Sequence, residues 1–234
     1  MLEAGPLDMF YGDSHVIQGV TIHVGAGEGI AIIGRNGVGK STLLKGLMAG
    51  GPTVRGPVRH DGEDISGLSN FQRARRGIGF VPEDRRIYPH LTVAENIAMS
   101  AHSARAGVTP YGLDEVYAFF PMLGPLAGRM GFELSGGQQQ LLAIARGVFA
   151  RPNCMLLDEP TEGLAPIIVE EIADQLIAMR KTEQTTLILA EQNVWFARAC
   201  TERLYLIDSG RIVFEGDWAA FDSQPDLRER YLAV

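Results

Sequence analysis

Basic residues are in the minority here: 21 Lys and Arg stand against 28 Asp and Glu, a formal charge of −7 over 234 residues. A nucleic-acid backbone as main partner needs clustered Lys and Arg for counterion release, so this balance speaks against one. Cysteine is scarce. Cys154 and Cys200 stand far apart with no CxxC spacing, which argues against a disulfide framework and for a reducing compartment. Long apolar runs are also missing. No stretch reaches the roughly 18 apolar residues of a membrane-crossing helix, and the best candidate, Leu141 to Ala150, is interrupted by Arg146. Met1 to Phe10 carries Glu3, Pro6 and Asp8 with no basic start before an apolar run, so no secretory signal is expected. Any work at a membrane is therefore expected from its side. His15, His23, His60, His90 and His102 show no metal-ligand spacing and are expected in structural or surface roles.

What remains is ordinary globular composition, 46% hydrophobic and 21% charged, in a chain long enough for one large domain or a domain with an inserted subdomain. Short β-rich runs alternate with helical ones, the pattern of an α/β protein. Val16 to Val24 alternates like a half-buried strand, and Gly29 to Gly34 is a short apolar run expected to be buried on both faces. Ser41 to Met48 reads as a helix. Val58–Asp61, Ile78–Val81, Asn153–Asp158 and Thr185–Ala190 read as further strands, and Leu204–Asp208 with Arg211–Phe214 as a hairpin. Between them, Val93–Ser103, Gly112–Phe120 and Gln138–Ala150 read as helices. The expected division is a core of residues 1–83 and 152–234 around a helical insert of residues 84–151.

The chemistry starts at Gly34, Arg35, Asn36, Gly37, Val38, Gly39, Lys40, Ser41 and Thr42, a complete P-loop with a strand before it and a helix after it. Glycines let successive backbone N–H groups turn towards phosphate oxygens, and the following helix adds its N-terminal dipole. Lys40 is placed for the β- and γ-phosphates of ATP, and the Ser41 hydroxyl for Mg²⁺. Asp158 and Glu159 end a buried apolar run, a costly position unless they face a polar site. Beside a P-loop strand, Asp158 is expected to hold Mg²⁺ and Glu159 to orient and deprotonate the attacking water.

The segment Leu134-Ser135-Gly136-Gly137-Gln138 with the helix behind it resembles the signature of the ATP-binding-cassette (ABC) ATPases. The resemblance extends over essentially the whole chain. It implies a RecA-like P-loop core with an antiparallel β subdomain and an inserted helical subdomain. It further implies that Ser135, Gly136, Gly137 and Gln138 complete the ATP site of another cassette, in a head-to-tail homo- or heterodimer. Tyr11, before Gly12, matches the aromatic residue that stacks on adenine in the family.

Three positions depart from the general family pattern. Glu83, in Val81-Pro82-Glu83, stands where the family usually has a glutamine; it keeps oxygen ligands for Mg²⁺ but adds a charge. Gln192 replaces the switch histidine; it can donate an amide N–H to the γ-phosphate but cannot become cationic. Ala165 stands where many relatives have aspartate. Together these resemble the ATPase subunits of importers for branched-chain and related hydrophobic amino acids, with urea and short-amide importers close by. That implies two integral membrane permeases, a periplasmic or extracellular solute-binding protein, and a peripheral location on the cytoplasmic face of the cell membrane. The alternatives are a soluble non-transport ABC ATPase, a P-loop kinase or GTPase, and a binding-only module. No Asn-Lys-x-Asp motif supports a GTPase, and no sustained heptads between Glu83 and Ser135 support a coiled-coil insertion.

Other residues invite plainer expectations. Cys154 reads as a small buried hydrophobe, Trp195 and Trp218 as packing residues, and Arg73 to Arg76 with Arg85 and Arg86 as solvated faces.

Overall fold

The computed structural model describes residues 1–232. The chain opens on a long antiparallel hairpin, β1 (Leu2–Tyr11) and β2 (Ser14–Val24). β1 buries Leu2, Ala4, Leu7 and Met9, so its inward alternation slips by one residue after Ala4, where the ladder with β2 shifts register. β3 (Gly29–Ile33) is buried at every position, as its unbroken apolar run predicts. It feeds the Gly-rich loop and α1 (Lys40–Leu47). β4 (Thr53–Arg55), β5 (Val58–His60) and β6 (Glu63–Asp64) complete an antiparallel sheet built on β1. α2 (Asn70–Ala74) then leads to β7 (Ile78–Val81).

A helical stretch follows: α3 (Val93–Ala98), α4 (Leu113–Phe119) and α5 (Gly136–Phe149). The chain then returns to β8 (Cys154–Asp158), α6 (Pro166–Glu183) and β9 (Thr186–Glu191). It finishes with α7 (Val194–Cys200), β10 (Arg203–Asp208), β11 (Arg211–Asp217), α8 (Trp218–Asp222) and α9 (Pro225–Tyr231).

The second sheet runs β11-β10-β3-β9-β8-β7, parallel except for the β10–β11 hairpin. Its faces separate two cores. Ile33, Leu157 and Leu189 pack with residues of α5, α6 and α7 on one side; Ile32, Leu156 and Ile188 pack with α1 and the antiparallel sheet on the other. The topology decides where chemistry can occur. β3, β9 and β8 are adjacent and parallel, so the loops after their C-terminal ends meet at one edge. Those loops carry the P-loop, Gln192 and Glu159.

Several expectations need correction. The single helix expected over Val93–Ser103 ends at Ala98 and continues as tighter 3₁₀ turns over Met99–Ser103, where the Ser103 hydroxyl donates to the Ser100 carbonyl. Arg73 is not on a solvated face: it is 1% exposed, and its guanidinium donates to the carbonyls of Gly46, Leu47, Ser66 and Leu68. Two of these close the C-terminal end of α1, where carbonyls lack helical partners and a cation suits the dipole. Arg85 is also engaged, by α5 as described below. Trp218 packs as expected, its indole N–H donating to the Thr201 carbonyl, whereas Trp195 is 54% exposed. Burial pushes the Cys154 thiol up to about 12, in keeping with an inert core residue.

Candidate functional site

The phosphate loop can only be built from glycine at two of its positions. A Cβ at Gly34 would lie 2.5 Å from the Ile207 carbonyl oxygen, and one at Gly39, with φ 115°, 2.8 Å from Ile17 Cδ1. Asn36 and Gly37 form the exposed tip, and the Val38 carbonyl accepts the Gly210 N–H. α1 starts behind Gly39 with no side-chain cap. Its first-turn N–H groups, near Ser41 and Thr42, thus remain for an anion, with the helix dipole behind them.

Lys40 is buried beneath this loop. Its Nζ donates to the carbonyls of Gly34 (2.8 Å) and Arg35 (2.9 Å) and stands 3.0 Å from Glu159 Oε1. The other Glu159 oxygen accepts the Gln192 side-chain amide at 2.7 Å. Glu159 itself has φ 45°, a left-handed conformation unusual for glutamate, held by its N–H donating to the Ala190 carbonyl. β8 and β9 therefore bring Lys40, Glu159 and Gln192 into one connected group.

Asp158 Oδ1 accepts the Ser41 hydroxyl at 2.8 Å, while its Oδ2 is buried without a hydrogen-bond partner. Burial, with the charges of Glu83 and Glu159 nearby, pushes this carboxyl up to about 6 despite the Ser41 bond. Burial and the same two neighbours hold Glu162 above the usual carboxylate range. An orphaned, buried carboxylate oxygen beside a serine hydroxyl and further carboxylates is the oxygen donor set that suits a divalent cation. The residues therefore fit Mg²⁺: Asp158 and Ser41 would hold it, with Glu83 alongside.

Glu191 is a site residue that the motif reading passes over. Its Oε1 accepts the Thr161 hydroxyl (2.6 Å) and N–H (3.2 Å), and its Oε2 accepts the N–H groups of Gln192 and Asn193, both at 2.9 Å. This buried carboxylate, its pKa raised by burial, ties the loop after Glu159 to the turn that presents Gln192. A glutamate closing the apolar run Leu187 to Ala190 is the signal that could have found it.

The signature segment begins α5. Ser135 is its N-cap and shares a capping box with Gln138: the Ser135 hydroxyl accepts the Gln138 N–H at 3.3 Å, and Gln138 Oε1 accepts the Ser135 N–H at 3.0 Å. The N–H groups of Gly136 and Gly137 are left at the open end of the helix. Tyr11 ends β1, is 45% exposed and lies beside Gly51. Glu83 follows β7 on the surface, close enough to bias Asp158.

A cleft of about 410 Å³ lies at the other end of α1, between Phe71, Phe80, Arg86, Ser100 and Arg146. Beside it, buried Asn96 staples residues 88–92. Its Oδ1 accepts the Tyr88 N–H, and its Nδ2 donates to the carbonyls of Tyr88, Leu91 and Thr92.

A P-loop behind a buried parallel strand, with an acidic pair ending the strand two places along the same sheet, defines a nucleoside-triphosphate hydrolase. The family model described as ABC transporter matches residues 17–162. The chain is 37% identical to the high-affinity branched-chain amino acid transport ATP-binding protein BraG of Pseudomonas aeruginosa, covering 99% of both chains. It is 33% identical to the probable branched-chain amino acid transport ATP-binding protein LivF of Archaeoglobus fulgidus, covering 92% of both. It is also 32% identical to the glutamine transport ATP-binding protein GlnQ of Geobacillus stearothermophilus, covering 94% of this chain and 91% of that one. A bacterial ABC transporter cassette solved as a dimer superposes with TM-score 0.80 at 26% identity, over 93% of this chain and 98% of the other. The post-hydrolysis state of that cassette, bound to ADP and Pi, gives 0.81 at 25% identity, with the same coverage. The chain belongs to the ABC transporter ATP-binding family. It is an ATPase.

Proposed function

We propose that this chain is the ATP-hydrolysing subunit of an importer for amino acids, with branched-chain and related hydrophobic amino acids as its cargo. Separate membrane permeases form the path, and a solute-binding protein delivers the cargo. Full-length similarity to branched-chain transport ATP-binding proteins supports the cargo, as do Glu83, Gln192 and Ala165 at the three departing positions. The chain would work as core 1–83 and 152–234 with helical subdomain 84–151, on the cytoplasmic face of the membrane. Among the described residues no helix is long and apolar enough to cross a membrane, in keeping with a peripheral subunit.

The observation that carries the catalytic reading is the convergence of Lys40 and Gln192 on Glu159. Gly34 to Thr42 bind the phosphates of ATP through the loop amides and Lys40, and Tyr11 stacks on adenine. Glu159 draws the proton from the attacking water. Gln192 fixes Glu159 and donates to the γ-phosphate, without the positive charge that a histidine could lend to the developing anion. Mg²⁺, which Ser41, Asp158 and Glu83 would hold, would supply charge neutralisation for the phosphates. Ser135, Gly136, Gly137 and Gln138 complete the nucleotide site of a second cassette. The cleft between Phe71 and Arg146, to which the segment from Glu83 to about Asn96 contributes Arg86, receives a permease segment. Because Gln192 is the weaker stabiliser, the two sites of a heterodimer with a histidine-bearing partner are unequal.

Co-purification with the permeases and companion cassette, followed by ATPase assays in liposomes with the solute-binding protein, tests this reading. Turnover stimulated several-fold by the binding protein loaded with leucine, isoleucine or valine is the expected result. Stimulation by urea or short amides alone would replace the cargo, and assembly with no membrane subunit would replace the transport role.

A further inference from the structure

We infer that Arg85 is a positioning residue through which nucleotide at this chain's own P-loop sets the signature turn offered to a second cassette. This rests on the reading proposed above. Arg85 lies two residues beyond Glu83, and both Arg85 (φ 60°) and Arg86 (φ 47°) adopt left-handed backbone conformations. Consecutive non-glycine residues in that region are unusual and persist only where surrounding contacts hold them. Here the Arg85 N–H donates to the Pro82 carbonyl and the Arg86 N–H to the Asp84 carbonyl.

The turn delivers the Arg85 side chain to the first turns of α5. Its Nε donates to Gln140 Oε1 at 3.1 Å and its Nη1 to Gln139 Oε1 at 3.5 Å. The same Nη1 stands 3.3 Å from where a Cβ on Gly136 would lie. The attachment is reciprocal. Arg146, two turns further along α5, donates to the carbonyls of Arg85 (3.0 Å) and Arg86 (2.6 Å), and its guanidinium lies 5.5 Å from the Tyr88 ring centroid.

Helix stability does not account for this arrangement. A cation at a helix N-terminus opposes the dipole, and the Ser135–Gln138 capping box already serves that end. Gln140 also leaves its buried Nε2 without a partner while its Oε1 serves Arg85. The clamp makes mechanical sense as a link. Its near end is Glu83, two residues after Val81, which pairs with Leu157 beside Asp158. Its far end is the amide turn Gly136–Gly137, beside which a fixed guanidinium also draws an incoming phosphate. A shift of Glu83 towards nucleotide therefore moves the signature turn of the same chain.

Hydrogen exchange on the full chain tests the link, with and without a slowly hydrolysed ATP analogue and magnesium, at a concentration where light scattering reports a monomer. In wild type, nucleotide should slow exchange at Gly37–Thr42 and, by roughly fivefold, at Gly136–Gln140. In R85A the first effect should persist and the second vanish. R85K, which keeps the charge but not the fork that spans two glutamines, should behave like R85A. Equal signature responses in wild type and R85A, wild-type behaviour of R85K, or no signature response in wild type would overturn the inference while leaving the ATPase reading intact. No slowing at Gly37–Thr42 in wild type would instead sink the nucleotide reading and this inference together.

Discussion

Lys40 Nζ and Glu159 Oε1 stand 3.0 Å apart in a buried setting, and the lysine's other two donors are taken by the carbonyls of Gly34 and Arg35. The residue proposed to bind phosphate and the residue proposed to activate water are thus one ion pair, and on that reading a γ-phosphate must share Lys40 with Glu159. Removing one partner of a buried pair strands the other, at about 3 kcal/mol. K40A should therefore lose about that much unfolding free energy in urea and also lose ATP binding. K40A/E159Q should recover most of the stability and none of the binding. A double variant no more stable than K40A would break the argument.

Gln192 supplies the amide that holds Glu159 Oε2 at 2.7 Å. Losing one preorganised donor of this kind costs roughly 10²-fold in turnover. Q192A is expected to lower kcat by about that factor with little change in the KM for ATP, measured by phosphate release from the assembled complex. Q192H, able to carry charge, should match or exceed wild type. Turnover indifferent to Q192A would remove Gln192 from the site, and with it the proposed inequality between the two sites.

Asp158 gives a pH signature. Burial raises its folded-state pKa from 3.8 to about 6. The folded chain thus binds this proton more tightly than the unfolded chain. The contribution to stability is fully present below pH 3.8 and is lost as pH rises through 6. The loss is on the order of 2–3 kcal/mol. In EDTA without nucleotide, D158N should melt about 5 °C higher than wild type at pH 7.5, and the difference should shrink towards pH 5. D158N melting no higher than wild type at pH 7.5 would show that Asp158 carries no such strain. Turnover should be lost in D158N at every pH.

The parts of this site that are local in sequence were legible. β3, the P-loop and α1 form one continuous stretch in which each residue type does a stated job, and Asp158–Glu159 is conspicuous because carboxylates seldom end an apolar run. α6 went unread although its signals are local, with Pro166 in its first turn and buried Val169, Ile172, Ala173, Leu176 and Met179 at helical spacing. What escaped depends on distant packing. β1 hides because its alternation slips after Ala4. Glu191 acquires its role only when β8 and β9 pair and bring Thr161 beneath it. Arg85 resembles a surface residue until two left-handed residues turn it onto α5.

Arg73 is the sharpest case of this kind, and it yields a stability prediction separable from catalysis. Its guanidinium reaches the carbonyls of Gly46 and Leu47 at the end of α1, and those of Ser66 and Leu68 before α2. Burial alone lowers its pKa somewhat, with Asp64 the one opposing charge, so four carbonyl dipoles do much of the work that a carboxylate would do elsewhere. Truncation leaves buried acceptors unsatisfied as well as a void, and each orphaned group costs roughly 1–3 kcal/mol. R73A should lose about 4 kcal/mol, a large share of the usual margin for a domain. R73K, with one ammonium in place of a planar fork, should recover less than half of that. Because these contacts lie at the opposite end of α1 from the phosphate loop, the fraction of R73K that remains folded should bind ATP with wild-type affinity. Calorimetric titration at low temperature checks this. A tenfold weaker Kd in folded R73K would mean that α1 transmits the change from its C-terminal end to Lys40.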